Sequence, residues 1–193
     1  MKSEWENVVL GDICKFHAGN AFPKKEQGIS RGDIPFIKVS DMNSSKNQRK
    51  IYKSNNWISR KTALRMKLNL APNGAVVFAK IGEALKAERL RILIQDTAID
   101  NNMMAAIPKQ NIEHDFLLFI LEYIHLARFA EGSALPYLRQ YDLENIPVTI
   151  PSRDIQKNIV KILSVLDDKI ELNWNINDNL AELLQALYQQ QFC

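Results

Sequence analysis

Glycine and proline are sparse in this 193-residue chain, seven of each, and between Asp154 and Phe192 there is neither. Each interrupts helices, glycine by backbone freedom and proline by its missing N–H, so that stretch is free to form one unbroken helix. Cysteine is scarcer: Cys14 and Cys193 lie at opposite ends with no CxxC spacing, so neither a disulfide framework nor a zinc knuckle is indicated. Long apolar runs are missing too. No stretch of about 18 apolar residues exists to span a bilayer, and no signal-peptide core follows Met1-Lys2-Ser3-Glu4-Trp5, so the expectation is a cytoplasmic protein with no membrane partner.

The motifs of nucleic-acid enzymes are also lacking. There is no GxxxxGK loop for phosphates and no GxGxxG, since Gly28 and Gly32 read as turn glycines, and no HExxH. The Asn-Pro-Pro-aromatic segment with which amino-methyltransferases clamp a flipped base does not occur. His17, His114 and His125 share no ligand spacing and read as surface or packing residues. Asp96 and Asp100 could be picked as carboxylates of a two-metal nuclease, but two acids four apart arise by chance, so a nuclease is a minor reading.

What the chain does have is charge in one place. Between Lys46 and Arg91 stand twelve Lys or Arg and only two acids, Glu83 and Glu88, so this block holds net +10 in a protein whose total is +3. A cationic surface on an otherwise acidic body attracts and orients a polyanion, here read as nucleic acid. With 46% apolar content, the chain can bury the core of one ordinary domain with a small appendage.

Apolar patterning predicts mixed α/β structure with several short strands. Trp5 to Phe16 reads as a strand or short helix entering a turn, and Phe36 to Ser40 as a short strand. A helix is expected from Ile58 to Leu70 with Ser59 as its cap, stopped by Pro72-Asn73-Gly74. Ala75 to Ala79 and Arg91 to Ile94 read as strands, with a cation-loaded loop opening at Lys80-Ile81-Gly82-Glu83 between them. Glu113 to Phe129 has helical spacing, with Gly132 as its expected stop, and Ile146 to Pro151 is extended because two prolines bracket it.

Beyond Pro151 the apolar residues fall on a seven-residue repeat. Ile159, Leu166, Asn173, Leu180 and Leu187 take one seam position, and Ile162, Lys169, Ile176, Leu183 and Gln190 the other, so seven of ten are Ile or Leu. A coiled-coil-type helix of some 37 residues would be about 55 Å long, too long for a domain of this size to cover, so a partner helix is expected. Asn173 is of the polar type that fixes register and oligomeric state. The alternative is a helix folded back on its own domain.

Read in order, the chain resembles the specificity subunit of type I restriction-modification systems. The carrying segments are Trp5-x-x-Val8-x-Leu10-Gly11-Asp12-Ile13, Gly32 to Met42, Ala71 to Gly82, Ile99 to Met103, Gly132 to Pro136, and Ile146 to Pro151 followed by Gln156 and Ile159 to Leu163. In that family an α/β target-recognition domain is followed by a long helix, and the pair occurs twice. The resemblance therefore implies a DNA target-recognition domain over residues 1–151 and a spacer or dimerisation helix over 152–193. With one such unit, the chain is expected to be a natural half-subunit or a piece of a longer chain, and the Cys193 ending fits both.

The resemblance further implies a non-catalytic role, with DNA contacts from the basic block. Lys80, Lys86, Arg89 and Arg91 are the first candidates, because they crowd a loop between two core strands. Arg60, Lys61, Arg65 and Lys67 follow on the predicted helix, then Lys46, Arg49, Lys50 and Lys53. Tyr52 and Trp57 lie inside the block, Tyr52 free to pack on a sugar-phosphate edge and Trp57 bound for the core. Helix pairing is assigned to Ile159, Ile162, Leu166, Asn173, Ile176, Leu180, Leu183 and Leu187 in a homodimer. Expected partners are double-stranded DNA, a methyltransferase subunit and a restriction subunit. S-adenosylmethionine, ATP and magnesium belong on those partners, and no cofactor or metal is expected here. The rival reading is a stand-alone DNA-binding regulator or antagonist with no methyltransferase partner.

Overall fold

The computed structural model describes residues 5–192; Met1 to Glu4 and Cys193, which enter the expectations of no signal peptide and of a half-subunit or piece of a longer chain, lie outside them. The first half comprises strand β1 (Trp5–Val9), helix α1 (Leu10–Ile13), β2 (Cys14–Ala18), β3 (Ile34–Ile37), β4 (Lys50–Ile51), β5 (Trp57–Ile58) and α2 (Arg60–Arg65). There follow β6 (Val76–Ala79), α3 (Glu83–Lys86), β7 (Arg91–Leu93), β8 (Ala98–Ile99), β9 (Met103–Pro108), α4 (His114–Ile124), α5 (Gln140–Glu144), β10 (Pro147–Pro151) and α6 (Arg153–Phe192). Among the described residues no helix is long and apolar enough to cross a membrane.

The central sheet has the order β2-β9-β6-β7-β4, antiparallel except for the β4–β7 pair. Both of its faces are buried. Val76, Phe78, Ile92, Met104 and Ala106 point into one core with α4, while Val77, Leu93, Met103 and Ala105 point into the other. Burial on both sides is why Ala75 to Ala79 and Met103 to Ile107 are continuous apolar runs and not alternating ones. A small sheet, β5-β3-β8, encloses a third core under α2. The β1–β10 pair, Trp5 opposite Pro151, ties the start of the domain to the residue from which α6 departs.

Two helices are shorter than their sequence pattern. The one expected to reach Leu70 ends at Arg65, because Lys67 turns left-handed at φ 50° and the Leu68 and Lys67 amides return to Ala63 O and Leu64 O. The one expected to reach Phe129 breaks at His125, φ 54°, and continues as a 3-10 turn over Leu126–Phe129. Glu88 holds the break: its carboxylate meets His125 Nδ1 at 2.9 Å and accepts the Ala127 N–H at 2.9 Å. Gly74, at φ +81°, is required where the chain enters β6, since a Cβ there would sit 1.9 Å from His114 Nδ1.

Helix α6 extends for about 60 Å at 1.5 Å per residue. Its first turns belong to the core of the domain: Gln156 is buried, donating to Pro151 O at 3.0 Å and accepting from the Glu113 N–H at 3.3 Å, and Ile159 and Val160 pack on the α4 side. Ile159 is thereby shared between the domain core and the expected seam. The other apolar seam residues, Ile162, Leu166, Ile176, Leu180, Leu183 and Leu187, are each at least 45% exposed, and Asn173 is exposed beside them.

Candidate nucleic-acid interface

The basic block does not form one surface. Its cations sort into three groups by what the fold does with them.

The first surrounds β4. Arg49 is drawn inward, its Nη1 donating to Glu122 of α4 at 2.5 Å, its Nε 2.7 Å from Asp167 Oδ2 of α6, and its guanidinium 4.9 Å from the Phe119 ring centre. The Nε–H is not aligned on an acceptor, so the contact with Asp167 is charge against charge. Lys46, Tyr52 and Lys53 border a cleft whose far wall is α6, with Glu171, Asp178 and Glu182. Burial and a hydrogen bond to Glu171 push the Tyr52 hydroxyl up to about 12, while the ring itself stays 44% exposed at the edge of the cleft. From Asp167 to Glu182 the helix has five acids and one cation, Lys169. Arg49 leaves the set of expected DNA contacts, and Lys46 and Lys53 face an acidic helix; Lys50 lies half-buried on β4.

The second group is the solvent side of α2. The Ser59 side chain accepts the Thr62 N–H at 3.1 Å and Asp33 accepts the Arg60 N–H at 2.9 Å, so the first turn is satisfied from outside. Arg60, Lys61, Arg65 and Lys67 are all exposed. Arg65 reaches Glu26 at 2.5 Å, which draws the 3-10 turn Lys24–Glu26 alongside and adds exposed Lys24 and Lys25. Beside them Arg60 and Lys67 border a groove of about 700 Å³ with Ile34, Leu68 and Leu70 in its lining. The sequence missed Lys24 and Lys25 because they lie outside the block; a Lys-Lys pair after Pro23 was the available signal.

The third group is the loop from β6 to β7. Gly82, φ +72°, makes its turn and donates to Pro136 O at 2.7 Å. Lys86 is exposed and pairs with Glu83 at 2.6 Å, Arg89 is exposed, and Lys80 is half-buried in a shallow hollow with Tyr137, Arg139 and Gln140. Arg139 is committed to Glu131 and Asp142, and its hydrogen bond holds the Glu131 carboxyl below the usual range. Arg91 is only 8% exposed. Its guanidinium donates to the backbone oxygens of Asn47, Leu90 and Met42. Burial pushes it down to about 10, still charged at neutral pH, so Arg91 braces β7 from within and the expectation of a DNA contact there does not hold.

Burial pushes the Cys14 thiol up to about 12, far from a reactive thiolate. Asp96 accepts the Asn73 N–H and Asp100 the Asn102 N–H, so the two carboxylates each hold a turn. His114 and His125 hold Gly74 O and Glu88. Among the described residues no three of His, Cys, Asp and Glu gather as metal ligands. Trp57, half-buried, donates its indole N–H to Ser54 O. What the exposed cations can do is neutralise phosphates.

Comparison with known proteins places these features in company. Residues 2–182 match the family described as type I restriction modification DNA specificity domain. The MjaIX type I restriction enzyme specificity subunit of Methanocaldococcus jannaschii is 27% identical, over 86% of this chain and 38% of its own length. The HindI specificity subunit of Haemophilus influenzae is 26% identical, over 98% of this chain and 41% of its own. In fold, the chain resembles one from a structural study of complex assembly and conformational transition of the type I R-M system, with TM-score 0.70 and 17% identity, covering 98% of this chain and 45% of that one. The chain thus spans about two fifths of the length of the curated relatives it matches.

Proposed function

The chain belongs to the type I restriction modification DNA specificity domain family, and from that premise we propose that it recognises a sequence in double-stranded DNA. It does so without catalysing a reaction, in the cytoplasm, and brings a methyltransferase and a restriction subunit to the site. S-adenosylmethionine, ATP and magnesium act on those partners. The observation that carries the reading is the family match across nearly the whole chain. The exposed cations of α2 and the neighbouring turn support it, because they offer a duplex a phosphate-binding face away from the acidic helix. Lys80, Lys86 and Arg89 are a second contact region.

Helix α6 pairs with a second copy through its open seam, and charge chooses the direction. A parallel pair sets Lys169 against Lys169 inside the seam, which is repulsive. In an antiparallel pair the two seam positions face each other, and one register puts Lys169 opposite Asn173, Ile159 opposite Leu183, Ile162 opposite Leu180 and Leu166 opposite Ile176. Every layer is then polar with polar or apolar with apolar. The two domains sit at opposite ends of the rod and read two half-sites separated by an unread gap, palindromic for identical copies.

Two measurements test this. Binding to duplex DNA should weaken with salt at a log-log slope near −0.9 per phosphate neutralised; a flat response sinks the cationic face as the contact. Co-purification with a methyltransferase subunit separates this role from that of a stand-alone DNA-binding regulator.

A further inference from the structure

A rod that spaces two half-sites works only if its angle to the domain is fixed, and the structure shows what fixes it. Helix α6 touches the domain at successive points: Arg153 with Glu113 at 2.9 Å, buried Gln156, Ile159 and Val160, Asp167 with Arg49, and Glu171 with Tyr52. The contacts near the start, one ion pair and otherwise apolar or backbone-directed, define a pivot. Those at Asp167 and Glu171 stand far enough along the helix to resist a swing about it. Of these Arg49 is the stronger, being 17% exposed in its side chain and bound to α4 and α6 at once.

We infer that Arg49 is a positioning residue, a joint locked between Glu122 and Asp167 that sets the direction of α6 and with it the one gap length that the paired chains accept. The inference rests on the recognition role proposed above. Lysine cannot replace it, having one point charge where the guanidinium serves two carboxylates and an aromatic face. Desolvation dominates at Asp167 and raises its carboxyl above the usual range despite the cation beside it, so the pair returns little net free energy while allowing one arrangement. Direction is what it secures. From Gln156 to the tip the lever is about 54 Å, and a swing of about 10° displaces the tip by about 9 Å, between two and three base-pair steps of 3.4 Å.

The test uses the full chain with Arg49→Ala, and Asp167→Ala as a second variant that leaves the Arg49–Glu122 pair in place should the first not fold. Selection from a pool of duplexes with a randomised centre should return from the parent one half-site pair at one gap. Either variant should return the same half-sites without that single preference, with neighbouring gap lengths enriched. Spin labels at Ser30→Cys and Gln185→Cys, in a Cys193→Ser background and diluted with unlabelled chain, should give one narrow distance in the parent and a broad distribution in the variants. Unchanged gap and unchanged width in a folded variant overturn the joint. If the parent returns no two-part site, the recognition role falls instead, and the distance distribution still decides whether Arg49 holds the helix.

Discussion

Replacing Arg91 by Met separates a structural cation from a DNA contact. Methionine keeps the aliphatic volume and removes the guanidinium, leaving the Asn47 and Leu90 oxygens without their donor; the Met42 contact, at 3.4 Å, is weak and counts for less. An unsatisfied buried acceptor costs about 1–3 kcal/mol, so two of them set a loss of about 2–6 kcal/mol. Against this stands the relief of no longer burying a charge, which is what pushes the guanidinium down to about 10. The net expectation is a destabilisation of about 2–3 kcal/mol, which at a urea dependence of about 2 kcal/mol per molar lowers the midpoint by about 1–1.5 M. Urea unfolding followed by tryptophan fluorescence measures it, and duplex binding is then compared where both proteins are fully folded. Arg91→Met should bind as the parent does there. An unchanged midpoint with abolished binding would show that Arg91 reaches DNA and that its placement in the core is wrong.

Substituting Ala for Arg60, Lys61 and Lys67 together should leave the urea midpoint in place, since all three are exposed, while the salt slope of duplex binding falls by about 0.9 for each phosphate no longer neutralised; an unchanged slope moves the interface elsewhere. A chain ended after Glu171 should keep its thermal midpoint yet lose its oligomer in light scattering. One ended after Ser152 should also melt early, because it lacks Gln156, Ile159 and Val160, whose burial contributes about 2 kcal/mol or more. Asn173→Ile should change the stability or number of chains in the assembly; no change means the seam lies elsewhere on the helix. Burial raises the Asp100 carboxyl, so the folded state holds the proton more tightly than the unfolded one. Its contribution is complete below the ordinary aspartate range near about 4 and is lost as pH rises through the raised folded value. Asp100→Asn should therefore flatten that decline in a pH series of melting temperatures, and an unaltered decline assigns it to other groups.

The parts of the fold that could be read in the sequence are those decided locally. The runs at Ala75 and Met103 announce strands because both sheet faces are buried, and the unbroken stretch after Pro151 announces a helix because nothing in it can stop one. The breaks at Lys67 and His125 could not be read. Glu88, which ends α4, lies 37 residues away from His125, and neither break carries the glycine that usually marks a left-handed cap.

Charge shows the same division more sharply. A sum over residues counts cations but not where their side chains end. Net +10 between Lys46 and Arg91 reads as one surface, and the fold distributes it: backbone oxygens for Arg91, carboxylates on α4 and α6 for Arg49, solvent for the α2 group and for Lys86 and Arg89. A hint lay in the sequence for each inward case. Arg91 stands between Leu90 and Ile92 at the head of a strand buried on both faces, where a cation has only the protein to bind. Arg49 is matched by the acids from Asp167 to Glu182, five against the single cation Lys169, which make that stretch of α6 acidic. A basic segment and an acidic helix in one chain should first be tried against each other, because the intramolecular pair forms at an effective concentration no free duplex can match. Only the cations left after that pairing remain open to an outside polyanion, and in this fold they stand on α2 and on the loop from β6 to β7.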